Sequence, residues 1–285
     1  MASAKEIRTQ IGAIQNTGKI TKAMEMVAAS KMRKAQDRVV SARSYAEGVR
    51  RIVGNMMSAH AEYQHPFLVE REEIKKVGII VVTTDKGLCG GLNTNALKEA
   101  IVLMKAQTAG IEVFTIGKRA GLFMKRVGAQ ISGVAENISD TPELADILGV
   151  VTLAIEKYIS GELDEVHLVF SEFVNTMTQS PTTMRLMPCP LPEHEEKSGY
   201  WDYLYEPEAK DVLEGVLRRY VESLVYHAVL ENKACEQSAR MVAMKAATDN
   251  AKDIVGDLKI TYNKARQAAI TQELAEICAG AAAAG

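Results

Sequence analysis

Aromatic residues make up only 5% of this 285-residue sequence. So few Phe, Trp and Tyr side chains fit a chain with much helix and a modest globular core. No stretch approaches the roughly 18 to 20 consecutive apolar residues of a membrane-spanning helix. The start, Met1-Ala-Ser-Ala-Lys-Glu-Ile-Arg8, has no apolar leader segment, so a cytoplasmic chain is expected. Cys89, Cys189, Cys235 and Cys278 are far apart, with no pair at metal-ligand or redox-motif spacing. Four small buried thiols in a reducing compartment are the expectation. His60, His65, His167, His194 and His227 are equally dispersed, so neither a metal nor a cofactor is expected. No nucleophile, base and orienting acid stand together, which argues against catalysis by this chain alone. Proline is also sparse: none of the seven follows Pro207, leaving nothing to break a helix over the last part of the chain.

What is present is periodicity. From Ile7, alternating steps of four and three pass through Ile11, Ile14, Gly18, Thr21, Glu25, Ala28, Met32, Ala35, Val39, Ala42, Ala46, Val49, Val53 and Met56. That is a coiled-coil seam with no slip, and it predicts one helix over residues 3–57. Its ends are apolar, but Gly18, Thr21 and Glu25 make its middle small or polar. Ile20, Met24, Met26 and Val27 fall on other faces and are expected to look outward.

A second, poorer seam runs from Val221 through Val225, Ala228, Asn232, Cys235, Ala239, Val242, Ala246, Asp249, Asp253, Gly256, Ile260, Asn263 and Gln267 to Ile270, Leu274 and Ile277. It predicts a helix from Pro207 onward. Between the two helices, Val77–Thr84, Ile111–Gly117, Val166–Val174 and Thr182–Pro188 read as strands, with helices at Thr94–Met104, Lys118–Val127 and Pro142–Ile159. Strands alternating with helices predict a small α/β sheet. The expected organisation is therefore residues 1–60 as an N-terminal helix, 61–206 as an α/β body and 207–285 as a C-terminal helix.

Two terminal helices flanking one compact insertion leave and re-enter it at neighbouring points, so they should pair antiparallel. At about 1.5 Å per residue they would be roughly 80 and 105 Å long. If Met57 lies near Ala209, Met24 sits near Val242 and Met1 near Ala265. Everything beyond residue 265 then projects alone, with Ile270, Leu274 and Ile277 on an apolar tip that needs a socket.

Charge is unevenly divided. The net −2 separates into +7 over residues 1–57 and −9 over the rest. A basic rod on an acidic body suits an acidic partner, a nucleic acid or an anionic surface. The loop Lys86-Gly-Leu-Cys-Gly-Gly-Leu-Asn93 follows a strand, yet it matches neither the phosphate-loop nor the dinucleotide pattern. Tight turning is the simpler use of its glycines. Three readings are comparable on these features. A rod seated by its apolar tip in a partner requires that socket, a nucleotide-dependent enzyme requires saturable nucleotide binding, and a nucleic-acid scaffold requires binding that falls steeply with salt.

Four segments together decide among them. They are Ile11–Met32, Thr84–Asn93, Glu236–Asn250 and Tyr262–Ile277, and they resemble the gamma subunit of bacterial F-type ATP synthase, the central rotor shaft. The resemblance spans the whole chain. It implies a long antiparallel coiled coil of the terminal helices with a small Rossmann-like α/β domain inserted between them. It also implies a non-catalytic subunit that couples proton-driven rotation to ATP synthesis. The implied partners are three alpha and three beta subunits, the epsilon subunit and the membrane c-ring, at the cytoplasmic face of the inner membrane. Carried over by position, the beta-subunit contacts are Lys19, Lys22, Met24, Met26, Arg240 and Met244. The bearing tip is Ile270, Thr271, Glu273, Leu274 and Ile277, and the c-ring foot is Arg43, Tyr205 and Glu206. The cysteine segment of plant-type members has no counterpart here.

Overall fold

The computed structural model describes residues 4–59, 65–189, 206 and 209–284. The terminal helices are α1 (Ala4–Ala59) and α5 (Ala209–Ala284). Between them lie β1 (Lys76–Val82), α2 (Leu92–Ala106), β2 (Gly110–Ile116), α3 (Lys118–Val127), β3 (Ile131–Ala135), α4 (Ala145–Ile159), β4 (Glu165–Phe173) and β5 (Gln179–Met187). Pro207, expected in the first turn of the C-terminal helix, lies outside the described residues. The chain forms two compact units, Met1–Ala28 with Met241–Gly285, and Ala29–Arg240.

In the larger unit the strand order is β3-β2-β1-β4-β5. The first four strands are parallel, and β5 returns antiparallel along β4. This is the doubly wound, Rossmann-like arrangement. Central strand β1 is buried on both sides, which is why it reads as an unbroken apolar run. Val77, Ile79 and Val81 pack with Leu97, Ala100, Ala120 and Met124 of α2 and α3. Ile80 and Val82 face the other way, into a core with Ile147, Val151 and Ile155 of α4. Val49, Val53 and Met56 of α1 and Leu213, Leu217 and Val221 of α5 join that same core, so the long helices cover one face of the sheet.

Strand β3 has no counterpart among the sequence-predicted strands. Its middle residue is Gly133, which ordinarily weakens a strand. The reason for it is local: a Cβ there would sit 3.0 Å from Phe114 and 3.5 Å from Val150.

The α1 seam is buried or half-buried wherever its side chains are described. The α5 seam holds from Val221 to Cys235 and then shifts. Past Arg240, Met244, Thr248, Ala251 and Val255 are buried and Met241, Val242, Ala243, Ala247, Leu258, Tyr262 and Ala265 half-buried, while Ala246, Asp249, Asp253, Gly256 and Ile260 are exposed. The alternation of four and three continues, but on another stripe.

In the smaller unit a Cβ on Gly18 would lie 3.4 Å from that of Ala251, and the Thr21 and Thr248 hydroxyls are 2.7 Å apart. The helices are therefore antiparallel, but offset by three residues from the expected pairing of Gly18 with Thr248.

Candidate functional site

In the smaller unit the small and polar middle of the α1 seam forms a close contact. Gly18 and Ala251 let the two backbones approach, and Thr21 and Thr248 share a hydrogen bond between hydroxyls. Thr248 also reaches the Met244 carbonyl at 2.8 Å. Polar groups at this level are thus satisfied within the helix pair, consistent with the rule for buried hydroxyls.

The outward surface carries Ile20, Met26 and Val27, each more than half exposed, together with exposed Lys19 and Lys22. Lys22 pairs with Glu25 at 2.9 Å. Met24 is half-buried instead of fully outward, and Met244 is buried at 5%. At the far end of α5, Ile270, Leu274 and Ile277 are about half to two-thirds exposed, and their neighbours Thr271 and Glu273 are exposed too. The apolar stripe of the tip therefore faces outward without cover from the described residues.

In the larger unit Arg240 is not a free surface cation. Its side chain is 11% exposed and lies 2.8 Å from Glu236, with a second bond of 3.1 Å to the Gly87 carbonyl. Arg43 is exposed and meets buried Glu231 at 3.7 Å. Burial raises the Glu231 carboxyl, and the Phe173 amide and Arg43 pull it back only in part. Glu206 is exposed, and Tyr205 lies outside the described residues.

The glycine loop after β1 turns tightly, with Leu88 at φ 64° and Gly90 at φ 57°. Asn93 closes it, donating to Thr84 Oγ1 at 2.8 Å while accepting from the Thr84 amide at 3.1 Å. Open α/β sheets bind ligands beyond the C-terminal ends of strands such as β1 and β4. Here that position is filled by α5: Cys235 packs on Cys89 and Leu92, and Ser238 donates to the Thr176 carbonyl at 2.6 Å. The loop serves as a seat for a helix. Every residue from 228 to 238 is buried, which a two-helix seam does not explain. The sequence signal for this seat is the polar run Glu231-Asn-Lys-Ala-Cys-Glu-Gln-Ser238, whose side chains cover all helical angles.

The thiols divide. Cys89, Cys189 and Cys235 are buried, and burial raises all three, Cys189 to about 12. Cys278, expected buried, is exposed near the end of α5. Among the described residues no group of His, Cys, Asp and Glu is arranged to hold a metal ion, and no helix is long and apolar enough to cross a membrane.

The family model described as ATP synthase matches residues 3–284. An ATP synthase gamma chain of Coxiella burnetii is 53% identical over 99% of this chain and 99% of its own length. One from Thiobacillus denitrificans is 53% identical over 99% of this chain and 100% of its own. The chain belongs to the ATP synthase gamma chain family. Among solved structures, it is similar to a chain in the central stalk and c-ring of Tetrahymena thermophila mitochondrial ATP synthase. That likeness has a TM-score of 0.63 at 25% identity, covering 80% of this chain and 99% of the other. A chain of the Euglena gracilis mitochondrial ATP synthase shares the fold, with a TM-score of 0.67 at 18% identity over 98% of this chain and 94% of the other. The long helices flanking a mostly parallel sheet are thus the family's fold.

Proposed function

We propose that this chain is the central-stalk rotor subunit of a bacterial F-type proton-translocating ATP synthase. It couples proton-driven turning of a c-ring to conformational change at the catalytic sites of the beta subunits for ATP synthesis, and the same coupling runs in reverse during hydrolysis. The observation that carries this reading is the 53% identity to gamma chains over 99% of both lengths. The exposed apolar and basic faces of the helices are what a shaft inside a ring would require.

The chain itself does no chemistry; its action is mechanical. A rod that presents different side chains at different angles meets each of three equivalent sites with a different face. It can shift the equilibrium at each site only by the difference in its interaction free energy with that site's conformations. Lys19 and Lys22 supply charge toward an acidic loop of beta. Met26, with exposed Ile20 and Val27 beside it, supplies a deformable apolar contact suited to sliding, because the thioether side chain has no strong directional demands. The tip at Ile270, Leu274 and Ile277 fits an apolar bearing formed by the alpha and beta subunits. The foot at Arg43 and Glu206, with the larger unit around it, fits the c-ring and epsilon subunit. Such a chain is peripheral, held at the cytoplasmic face of the inner membrane through the c-ring.

Exchanging Lys19 and Lys22 together for Glu should lower proton-driven ATP synthesis by about tenfold, corresponding to about 1.4 kcal/mol of lost differential interaction. Exchanging exposed Lys125 and Arg126 of α3 for Glu is the matched control, expected to change synthesis little. Equal effects of the two pairs would remove the beta contact from the first helix. The reading as a whole is tested by the mass of the gently extracted native assembly. One copy of this chain with three alpha and three beta subunits is expected, and extraction free of ATPase subunits would overturn it.

A further inference from the structure

Among the described residues, six side chain to backbone hydrogen bonds join α5 to the α/β body, all within the larger unit. Tyr226 Oη donates to the Pro142 carbonyl at 3.0 Å, and Lys233 Nζ to the Ile138 carbonyl at 3.1 Å. Glu231 accepts from the Phe173 amide at 3.1 Å, and Cys235 Sγ donates to the Ser171 carbonyl at 3.4 Å. Ser238 Oγ reaches the Thr176 carbonyl at 2.6 Å, and Arg240 the Gly87 carbonyl at 3.1 Å. Their body partners sit at or just beyond the C-terminal ends of β1, β3 and β4.

The angular placement of the six is informative. With 3.6 residues per turn, each residue advances about 100° around the helix. Tyr226, Lys233 and Arg240 are spaced by sevens and fall on one stripe. Glu231, Cys235 and Ser238 fall together on a second stripe, roughly 165° away by the same rule. The helix is gripped from two nearly opposite sides over four turns, by acceptors and a donor fixed in the frame of the sheet. Rotation about its own axis would strain both stripes at once, and buried polar groups pulled from their partners are costly.

Helix α1 is held differently. Lys31 meets Asp140 at 2.6 Å with both side chains over 40% exposed, and Arg38 reaches the Asp140 carbonyl at 3.3 Å. It also meets α5 through Arg43, 3.7 Å from Glu231, and packs on the body and α5 through apolar residues such as Val39, Val49 and Val53. Exposed ion pairs contribute little, and apolar contacts can slide.

We propose that the segment Tyr226–Arg240 of α5 is a torque key, the place where the body transmits rotation into the shaft, with Tyr226, Lys233 and Ser238 as positioning residues and α1 a passive companion. The proposal rests on the rotor reading. It adds that the two helices are mechanically unequal where they leave the body, and that one arginine otherwise assigned to the ring contact also locks the shaft to the Gly87 loop.

The test uses the whole ATP synthase with its ring fixed and an optical probe on the α/β body, stalled without nucleotide. Angular fluctuation of the probe reports torsional stiffness, which a merely stabilising role would not move. The triple variant Tyr226→Phe, Lys233→Met, Ser238→Ala removes half the cross-bonds while keeping shape. It should increase the angular variance roughly twofold, on equal weight per bond. Unloaded ATP hydrolysis should stay at the parental rate, while ATP synthesis against load falls. The pair Lys31→Met, Arg38→Met on α1 should leave the variance at the parental value. Unchanged variance in the triple variant, or an equal increase in the α1 pair, would overturn the key. If the triple variant does not assemble, Ser238→Ala alone should still raise the variance by a smaller, measurable amount, and no rise would overturn the key. Failure of the parental assembly to rotate would instead sink the rotor reading on which the key rests.

Discussion

Replacing Gly117 by Ala should abolish stable folding of the α/β body. Gly117 has φ 98°, a region that L side chains rarely adopt, and a Cβ there would lie 2.3 Å from the Thr83 carbonyl oxygen. Neither atom can yield: Thr83 is bonded through its amide to the Ile116 carbonyl at 2.8 Å, and the Gly117 amide to the Ala135 carbonyl at 2.8 Å. The Thr83 hydroxyl accepts from the Ala120 amide at 2.8 Å and holds the start of α3. One added methyl therefore pushes apart the ends of β1, β2 and β3 together. The cost of positive φ plus backbone overlap is about 3 kcal/mol or more. Soluble yield and thermal unfolding of the purified chain check this. A variant that melts within a degree of the parent would show that the turn can relax. Gly128, with φ 77° and no atom within 4 Å of a Cβ, is the control, since only the backbone strain applies there.

The second large effect lies at the opposite end of the sheet. Glu112 on β2 is 1% exposed, yet charged. Burial alone would raise its pKa. Hydrogen bonds from Lys76, Lys157 and Ser132 outweigh that and bring it from the usual 4.5 down to about 2. Lys157 lies at 2.9 Å and Ser132 at 2.8 Å, and the Lys157 ammonium is raised in return. Glu112→Gln removes the charge and leaves two lysines facing a neutral amide. Breaking one partner of such a buried cluster costs about 3 kcal/mol. In a chain of this size that corresponds to a fall of roughly 8 °C in melting temperature.

The pH dependence follows from the sign of the shift. A carboxyl with a depressed native pKa contributes its stability above its unfolded pKa and loses it as pH falls through the native one. The parent should therefore lose about 3 kcal/mol between the usual 4.5 and about 2 through this one residue, and the Gln variant should lack that part of the acid transition. Denaturant midpoints across that window measure it. Parallel acid profiles for parent and variant would mean that Glu112 is already neutral in the fold.

Local spacing made α1 legible, because its four-three pattern from Ile7 to Met56 has a single solution. It failed on α5 beyond Ala239. There the count keeps the phase set at Val221 and passes onto Ala246, Asp249, Asp253 and Gly256, while the apolar stripe moves to Met244, Ala251, Val255 and Leu258. The structure ranks the two stripes by partner: Met244, Thr248 and Ala251 are covered, with Thr248 bonded to Thr21 and Ala251 against Gly18. Strand β3 was hidden by Gly133, whose reason is the ring of Phe114, a contact distant in sequence. Of the residues carried over as partner contacts, Lys19, Lys22 and Met26 are exposed, as expected for residues that need a partner. Arg240 and Met244 are mostly covered by this chain itself. No periodicity could reveal that, because the Gly87 carbonyl that holds Arg240 is over a hundred residues away. The seat of α5 on the sheet was likewise invisible to a seam count, which assumes one partner helix and not three loops.

The most direct measurement fixes the ring of the assembled ATP synthase to a surface, attaches a bead to the α/β body of this chain, and adds ATP. The account predicts unidirectional turning of the bead with three pauses per revolution, one for each catalytic site. A bead that stays still or wanders without direction, while the same complexes hydrolyse ATP, would contradict it.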